Sequence, residues 1–161
     1  MNLLKTVVFM ATAPATLTIY LPYRLLPPGR APLPGPARYL GLLPILAGAL
    51  VECWCAWDFA IKGRGTPAPF DPPKELVVRG LYRRVRNPMY VGVMLILLGE
   101  ALFFASRFML TYSLVVFAGF NLFVLLYEEP TLRGKFGGAY ERYCRAVPRW
   151  LPLPRAGDAG R

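Results

Sequence analysis

Four long apolar runs decide what this chain can fold into. They cover approximately residues 7–23, 39–61, 89–105 and 109–127, and apolar residues make up 55% of the sequence. A helix needs about 20 residues to cross the hydrocarbon core of a bilayer, and it satisfies its own backbone hydrogen bonds there. The runs therefore predict an all-α integral membrane protein with about four transmembrane helices, folded as a single domain over residues 1–161.

The N-terminal run has a second interpretation. Lys5, a short apolar stretch and Ala11-Thr12-Ala13 loosely match a cleavable signal peptide. The apolar stretch before that site is short, and Pro14 follows the site directly. We therefore favour a first span that is retained over one that is cleaved.

The connections between the runs differ in character. Residues 27–36 are rich in proline and predict a loop between the first two spans, because proline interrupts helices. Ser106-Arg107-Phe108 is a very short link. The third and fourth spans are therefore predicted to form an antiparallel, C-terminal helical hairpin.

The basic residues are placed unevenly around these spans. The net charge is +10, and four spans would put all 19 Lys and Arg on one face except Arg24, Arg30, Arg38 and Arg107. Because cytoplasmic segments carry an excess of Lys and Arg, we expect a cytoplasmic (inner) membrane with both termini and loop 62–87 in the cytoplasm. The bilayer is the expected partner of the basic residues. A nucleic-acid partner is not expected, since the charges are divided among the spans.

The C-terminal tail carries a helical pattern of its own. Leu132, Phe136, Tyr140, Tyr143 and Val147 recur at steps of three or four, with charged residues elsewhere around the helix. The pattern predicts an amphipathic cytoplasmic tail on the lipid headgroups, which Gly137-Gly138 can interrupt. A lid over a site at the membrane surface is the alternative.

Residues that bind metals or transfer protons are scarce. Histidine is absent, which removes the commonest general base and metal ligand. Cys53 and Cys55 have CxC spacing inside an apolar run, and Cys144 is remote from them. This spacing does not match a zinc or redox pattern, so we interpret the cysteines as packing residues and expect no metal.

Two segments in the C-terminal half have more specific patterns. The first is Gly80-Leu81-Tyr82-Arg83-Arg84-Val85-Arg86-Asn87-Pro88-Met89-Tyr90-Val91-Gly92. The second comprises Tyr127-Glu128-Glu129-Pro130-Thr131-Leu132, Phe136-Gly137-Gly138-Ala139-Tyr140-Glu141-Arg142-Tyr143 and Val147-Pro148-Arg149-Trp150-Leu151-Pro152. In this order, with a hairpin between them, they resemble the superfamily of isoprenylcysteine carboxyl methyltransferases and phospholipid methyltransferases over residues 76–152.

The resemblance implies methyl transfer from S-adenosylmethionine to a lipid-like or prenylated acceptor at the cytoplasmic membrane face. The acceptor group can be a carboxylate, an amine or a thiol. Asn87 stands where the family usually has histidine, and Asn-Pro-Met-Tyr with Glu-Glu-Pro resembles phosphatidylethanolamine N-methyltransferases. Val-Pro-Arg instead resembles the carboxyl methyltransferases. An ionised carboxylate needs no base, which slightly favours it in a chain without histidine.

The same resemblance implies a site where the third span begins and the fourth ends. Carboxylates suit an ammonium and ribose hydroxyls, arginine or an amide suits a carboxylate, and aromatic faces suit adenine and a sulfonium. The expected cofactor-binding residues are Tyr82, Arg86, Asn87, Pro88, Tyr90, Gly92, Glu128, Glu129 and Tyr140. The candidates for catalytic residues, which would line the acceptor or cap the site, are Arg149, Glu129 and Tyr143.

Several of these residues have simpler interpretations. Glu128 and Glu129 can be a solvated helix end, although two carboxylates there oppose the helix dipole. Gly92 can serve close helix packing, and Arg149 can anchor to headgroups. Glu52 and Glu100 are acids at membrane depth, where such residues usually face a cavity or a partner, and Glu52 is the better candidate.

Two other functions compete with methyl transfer. One is a membrane scaffold or subunit that retains the fold without catalysis, and the other is a membrane reductase of similar helical architecture with a nicotinamide cofactor. Binding of S-adenosylmethionine would separate the methyltransferase from both alternatives.

Overall fold

The computed structural model describes residues 12–25, 35–62, 76 and 78–152, and of residues 59–62 it describes the backbone alone. Throughout these ranges the chain forms helices and turns without a strand, which confirms the all-α prediction for this part of the protein. Helix α1 covers residues 12–25, α2 Leu42–Lys62, α3 Pro88–Phe103, α4 Arg107–Phe136 and α5 Gly138–Ala146. Two 3₁₀ turns, Pro36–Gly41 and Gly80–Arg83, precede α2 and α3.

Two of the helices have the length and composition of membrane spans. They are Pro36–Asp58, which joins the first 3₁₀ turn to α2, and Arg107–Phe136, which is α4. Only 22% of the apolar window in each is buried inside the protein. Large apolar side chains such as Leu50, Trp57 and Leu126 are exposed, and a bilayer would cover such a surface.

The other two predicted spans have a weaker basis. Helix α3 has 16 residues, which is short for a helix that crosses a bilayer unaided. The start of the first predicted span, residues 7–11, lies outside the described residues. The four-span arrangement therefore stays a prediction.

Helix α4 continues well beyond the predicted end of the fourth span at Tyr127. A π-helical turn, Val124–Glu128, leads into a last α-helical segment, Glu129–Phe136. Pro130 follows the π-helical turn directly, and because it has no N–H to donate to the preceding turn, a local π adjustment is one way in which a helix accommodates it. The helix ends at Gly137, whose φ of +50° lies in the left-handed region that favours glycine.

Glycines allow α2 and α3 to pack with their backbones in contact. A Cβ atom built on Gly99 would lie 2.6 Å from the carbonyl oxygen of Gly41, and one on Gly48 would lie 2.5 Å from that of Gly92. Both distances are too short for a real Cβ atom. The two helices therefore meet along a seam of Gly41, Gly48, Gly92 and Gly99, as is common between helices in membranes.

Helix α3 packs against α4 with larger side chains. Val93, Leu97, Ala101 and Met109 form the buried core between the two helices. Tyr112 of α4 donates a hydrogen bond of 2.9 Å to the carbonyl oxygen of residue 17, which attaches α1 to this core.

The connection between α3 and α4 is residues 104–106, two residues earlier than the predicted link at Ser106-Arg107-Phe108. Ser106 is the N-cap of α4, and its hydroxyl accepts a 3.2 Å hydrogen bond from the N–H of Met109. An N-cap hydroxyl satisfies a backbone donor that the helix itself leaves free, so α4 begins directly after this serine.

We predict that the variant Gly99→Ala loses stability through overpacking of the seam. The added methyl group would collide with the backbone of Gly41 and the side chain of Ile45, and we expect a loss of roughly 1–3 kcal/mol in the free energy of unfolding. The control is Gly119→Ala on α4, because nothing lies within 4 Å of its Cβ position. Denaturant unfolding in detergent measures both variants, and equal stability of the two would contradict the seam.

Candidate functional site

Glu129 of α4 is the centre of a buried ionic cluster beside the start of α3, on the face that the charge distribution predicts to be cytoplasmic. The Nε atom of Arg149 donates to Oε1 at 2.7 Å, and its Nη2 atom donates to Oε2 at 3.1 Å. The Nη1 atom of Arg86 lies 2.9 Å from Oε1, and Arg133 lies 3.7 Å from Oε2. A paired, fork-shaped contact of this kind is among the stronger ion pairs in proteins. The hydrogen bonds to Glu129 raise the pKa of Arg149 above the ordinary value for arginine, so this guanidinium stays charged.

Backbone contacts hold the segments that carry these arginines together. The N–H of Arg86 donates to the carbonyl oxygen of Pro148 at 2.9 Å. The side-chain amide of Asn87 donates to the carbonyl oxygen of Arg149 at 3.2 Å. The segment before α3 and the segment after α5 therefore lie side by side, and both contact α4 at Glu129.

Glu128 has a different environment from its neighbour. It accepts a hydrogen bond of 2.9 Å from the hydroxyl of Tyr90, near the start of α3. The ring of Tyr90 stacks on Phe120 with centroids 4.5 Å apart, and the ring centroid of Trp150 lies 6.3 Å away. Glu128 therefore lies beside a group of aromatic rings and away from the arginines that surround Glu129.

The predicted site residues did not include Phe117, Phe120, Asn121 or Trp150. The indole N–H of Trp150 donates to the side-chain oxygen of Asn121 at 3.0 Å, and its ring meets Phe117 edge to face at 5.3 Å. One face of α4 carries Phe117, Phe120 and Asn121, because Phe120 and Asn121 follow Phe117 by three and four positions. A polar Asn inside an apolar run was the signal that could have indicated this face.

Three predicted tyrosines join α5 to the segment before α3. Tyr143 donates a 2.7 Å hydrogen bond to the carbonyl oxygen of Tyr82, and the rings of Tyr140 and Tyr143 have centroids 6.1 Å apart. The side chain of Tyr82 in turn forms a hydrogen bond with Cys55 of α2. Burial raises the pKa of all three tyrosines above the ordinary value. They therefore stay protonated near pH 7 and act as hydrogen-bond donors, not as bases.

Gly80 explains why the motif before α3 begins with glycine. Its φ of +51° lies in the left-handed region, and a Cβ atom there would collide with the carboxylate of Asp58 in α2. The glycine lets the 3₁₀ turn approach α2 and aim Tyr82 at Cys55.

The remaining predicted residues lie at the edge of this cluster or outside it. Pro88 is buried at the first turn of α3. Gly92 lies in the seam between α2 and α3, where a Cβ atom would be 3.1 Å from the carbonyl oxygen of Gly48. The structure thus brings together the network Tyr82, Arg86, Asn87, Tyr90, Glu128, Glu129, Tyr140, Tyr143 and Arg149, and separates Gly92 from it.

The three cysteines lie in different environments and do not form a metal site in the part of the chain that the structure describes. Cys55 is buried, and Cys144 accepts a contact of 2.9 Å from Arg86. Cys53 is exposed on the apolar surface of α2, contrary to an inner packing role for all three cysteines. Within the described ranges, three or more Cys, Asp or Glu side chains do not come together as a metal site.

An open cavity of about 350 Å³ adjoins the cluster on the far side of Tyr143. It lies between the segment before α3 and helix α5. Its lining is apolar except for Tyr143 and two arginines, and comprises Leu76, Val78, Arg83, Ala139, Arg142, Tyr143, Ala146 and Val147. The cavity does not include Asn87, Glu128 or Glu129.

These features define a class of protein: a helical protein with apolar helices of membrane-spanning length and a cluster of polar side chains between the start of α3 and α4. The sequence profile of the phospholipid methyltransferase family matches residues 36–139. The chain belongs to this family. The match begins at the 3₁₀ turn before α2, so it extends the resemblance seen over residues 76–152 to the second apolar run.

The chain is also similar to two curated proteins. A protein-S-isoprenylcysteine O-methyltransferase of Schizosaccharomyces pombe is 38% identical over 81 residues, which are 48% of this chain and 33% of that protein. An uncharacterized protein of Haemophilus influenzae is 35% identical over 63 residues, which are 39% of this chain and all of that protein. The alignment thus spans about a third of the length of the yeast relative. No solved structure matches the chain significantly.

We predict that Glu129→Gln destabilises the protein far more than Glu141→Gln does. The first change leaves Arg86 and Arg149 without their anionic partner, and only 12% of the Arg86 side chain is exposed. We expect a loss on the order of 3 kcal/mol in the free energy of unfolding, the lower end for a broken buried ion pair because 30% of the Arg149 side chain is exposed.

Glu141 is the matched control, since its pair with Arg145 is largely exposed and should contribute less than about 1 kcal/mol. Denaturant unfolding in detergent gives both values. A loss for Glu129→Gln no larger than that for Glu141→Gln would show that the cluster does not hold the segments together.

Proposed function

We propose that this protein transfers a methyl group from S-adenosylmethionine to a lipid-like acceptor at the cytoplasmic face of a membrane. The observation that carries the proposal is the meeting of the family motifs: Asn87 and Tyr90 at the start of α3 contact Arg149 and Glu128. The named activity of the yeast relative, methylation of an isoprenylcysteine protein, agrees with a lipid-like acceptor.

The side chains around Tyr90 fit S-adenosylmethionine chemically. A carboxylate can accept about four hydrogen bonds, and Glu128 receives one from Tyr90, which leaves capacity for ribose hydroxyls or an ammonium. The rings of Tyr90, Phe120 and Trp150 offer aromatic faces, which suit adenine and a positively charged sulfur. When bound, S-adenosylmethionine supplies an electrophilic methyl group on that sulfur.

Glu128 and Glu129 have separate roles in this proposal. The Glu129 carboxylate is engaged by Arg86, Arg149 and Arg133, so it acts as a positioning residue that fixes the surrounding segments. Glu128 is the carboxylate that contacts the cofactor. Asn87 holds the backbone of Arg149 through its amide, in the place of the family's usual histidine.

Arg149 and Tyr143 are proposed to meet the acceptor. The Arg149 side chain is 30% exposed, so it can also approach an anionic group of a lipid or an acceptor carboxylate. Tyr143 lies between the ionic cluster and the cavity beside α5. Placement of donor and acceptor in line at about 3–3.5 Å would then supply much of the rate.

The surroundings of the site support a position at the cytoplasmic headgroups. Exposed arginines surround it on three segments: Arg79, Arg83, Arg84, Arg133, Arg142 and Arg145. Such a set suits anionic lipids, which are most abundant in cytoplasmic leaflets. Both termini would lie in the cytoplasm, where the methyl donor is available.

We predict micromolar binding of S-adenosylhomocysteine to the purified protein in mild detergent, measured by calorimetry. Glu128→Gln should weaken binding about 10-fold or more, because a neutral amide replaces the charge that holds the ligand's hydroxyls or ammonium. Tyr90→Phe should weaken it less, since it removes the hydroxyl that orients Glu128. Glu141→Gln is the control, because Glu141 is exposed and its ion-pair partner is Arg145, which does not belong to the network.

The same preparation tests transfer with S-adenosylmethionine labelled on the methyl group and an extract of membrane lipids. Label in the organic phase, lost in Glu128→Gln, is the expected result. A folded wild-type protein that binds no S-adenosylhomocysteine would refute the proposal and favour a scaffold, or a reductase if nicotinamide cofactors bind.

A further inference from the structure

Glu52 is a buried carboxylate that the cluster around Glu129 does not use. It lies in α2, only 8% of its surface is exposed, and neither of its carboxylate oxygens has a hydrogen-bond partner within the described part of the chain. Burial of a carboxylate without a partner is costly, and an acid at membrane depth usually faces a ligand or a partner. The residue therefore needs an explanation beyond packing.

Gly92 of the family motif makes room for this carboxylate. A Cβ atom at position 92 would lie 2.9 Å from the Oε1 atom of Glu52, which is closer than real Cβ contacts. Any side chain at position 92 would thus press on the Glu52 carboxylate as well as on the backbone of Gly48. This contact connects the last residue of the motif to an acid on another helix.

The groups around Glu52 lead towards the proposed cofactor site. Cys55 lies one turn further along α2, within electrostatic range of Glu52, and its thiol interacts with Tyr82. Tyr82 lies within electrostatic range of Glu128. The hydrogen bond between Cys55 and Tyr82 therefore connects the turn of α2 that carries Glu52 to the segment before α3, which forms part of the proposed site.

Arg86 does not compensate Glu52. Arg86 directs its Nη1 atom to Glu129 and Cys144, and in the described part of the chain Glu52 forms no ion pair. The acid is thus an acceptor for a positively charged, hydrogen-bond-donating group that the chain itself does not provide there.

We propose that Glu52 is a ligand-recognition residue of the site: Gly92 makes room for its carboxylate, and the unpartnered carboxylate oxygens receive an ammonium group of the ligand. The inference rests on the proposed function and assigns to that site an anionic contact from α2. Two ligands offer this chemistry: the amino-acid end of the methyl donor, and an acceptor with a primary amine.

Calorimetry on Glu52→Gln in detergent tests the proposal with two nucleosides. S-adenosylhomocysteine carries the ammonium, and methylthioadenosine has the same adenosine and thioether without the amino-acid part. If the ammonium belongs to the methyl donor, the variant binds S-adenosylhomocysteine at least 10-fold more weakly and methylthioadenosine with unchanged affinity. A merely structural role would change both affinities alike or neither.

The second arm uses short-chain phosphatidylethanolamine, with phosphatidylglycerol of the same chain length as the comparison. If the ammonium belongs to the acceptor, Glu52→Gln weakens binding of the ethanolamine lipid at least 10-fold and leaves binding of S-adenosylhomocysteine and phosphatidylglycerol unchanged. Glu100→Gln is the control variant in both arms, because Glu100 is also an acid of the helix bundle with an unpaired oxygen, at the opposite end of α3.

Glu52→Asp keeps the charge but moves it away from the ligand, so it should weaken binding of the same probe to a smaller extent. It replaces Glu52→Gln if that variant unfolds. Wild-type affinities of both variants for every probe would overturn the role of Glu52. In that case binding of S-adenosylhomocysteine by the wild type would leave the proposed methyl transfer intact. A wild-type protein that binds neither S-adenosylhomocysteine nor phosphatidylethanolamine would overturn both proposals.

Discussion

The arrangement of the site depends on the ion pairs that the carboxylate of Glu129 forms with three arginines. Guanidinium groups from before α3, from α4 itself and from after α5 converge on it, in the order Arg86, Arg133 and Arg149. Removing such charges from water is costly, so the ion pairs add specificity of placement more than net stability. The ion pairs fix the segment before α3 and the segment after α5 against α4 at Glu129. The side chain of Asn87 then donates a hydrogen bond to the backbone of Arg149.

Helix α3 packs differently on its two sides, and both sides serve the site. Towards α2 it presents Gly92 and Gly99, which allow backbone contact and leave little room for any other residue. Towards α4 it presents Val93 and Leu97 in the core and Tyr90 against Phe120. Because glycine removes side-chain bulk on one side only, α3 can lie against Glu52 of α2 while its Tyr90 hydroxyl contacts Glu128 of α4.

Adjacent acids acquire different chemistry in this fold. Successive residues of a helix point about 100° apart, so Glu129 turns towards the arginines while Glu128 turns towards Tyr90 and the aromatic rings. One carboxylate is saturated by ion pairs and the other keeps free hydrogen-bond capacity. This division supports a structural role for Glu129 and a ligand-binding role for Glu128 in a member of the phospholipid methyltransferase family.

The sequence by itself determined the helices and the family, because apolar runs and the order of the Asn-Pro-Met-Tyr and Glu-Glu motifs are local patterns. It also indicated that the start of α3 and the end of α4 lie together, since a short link makes the helices neighbours. Only the tertiary structure decided which of the two acids is saturated, why Gly92 is glycine and where Trp150 packs. Those answers depend on helix rotation and on contacts between residues distant in the chain, and neither a composition nor a spacing records them.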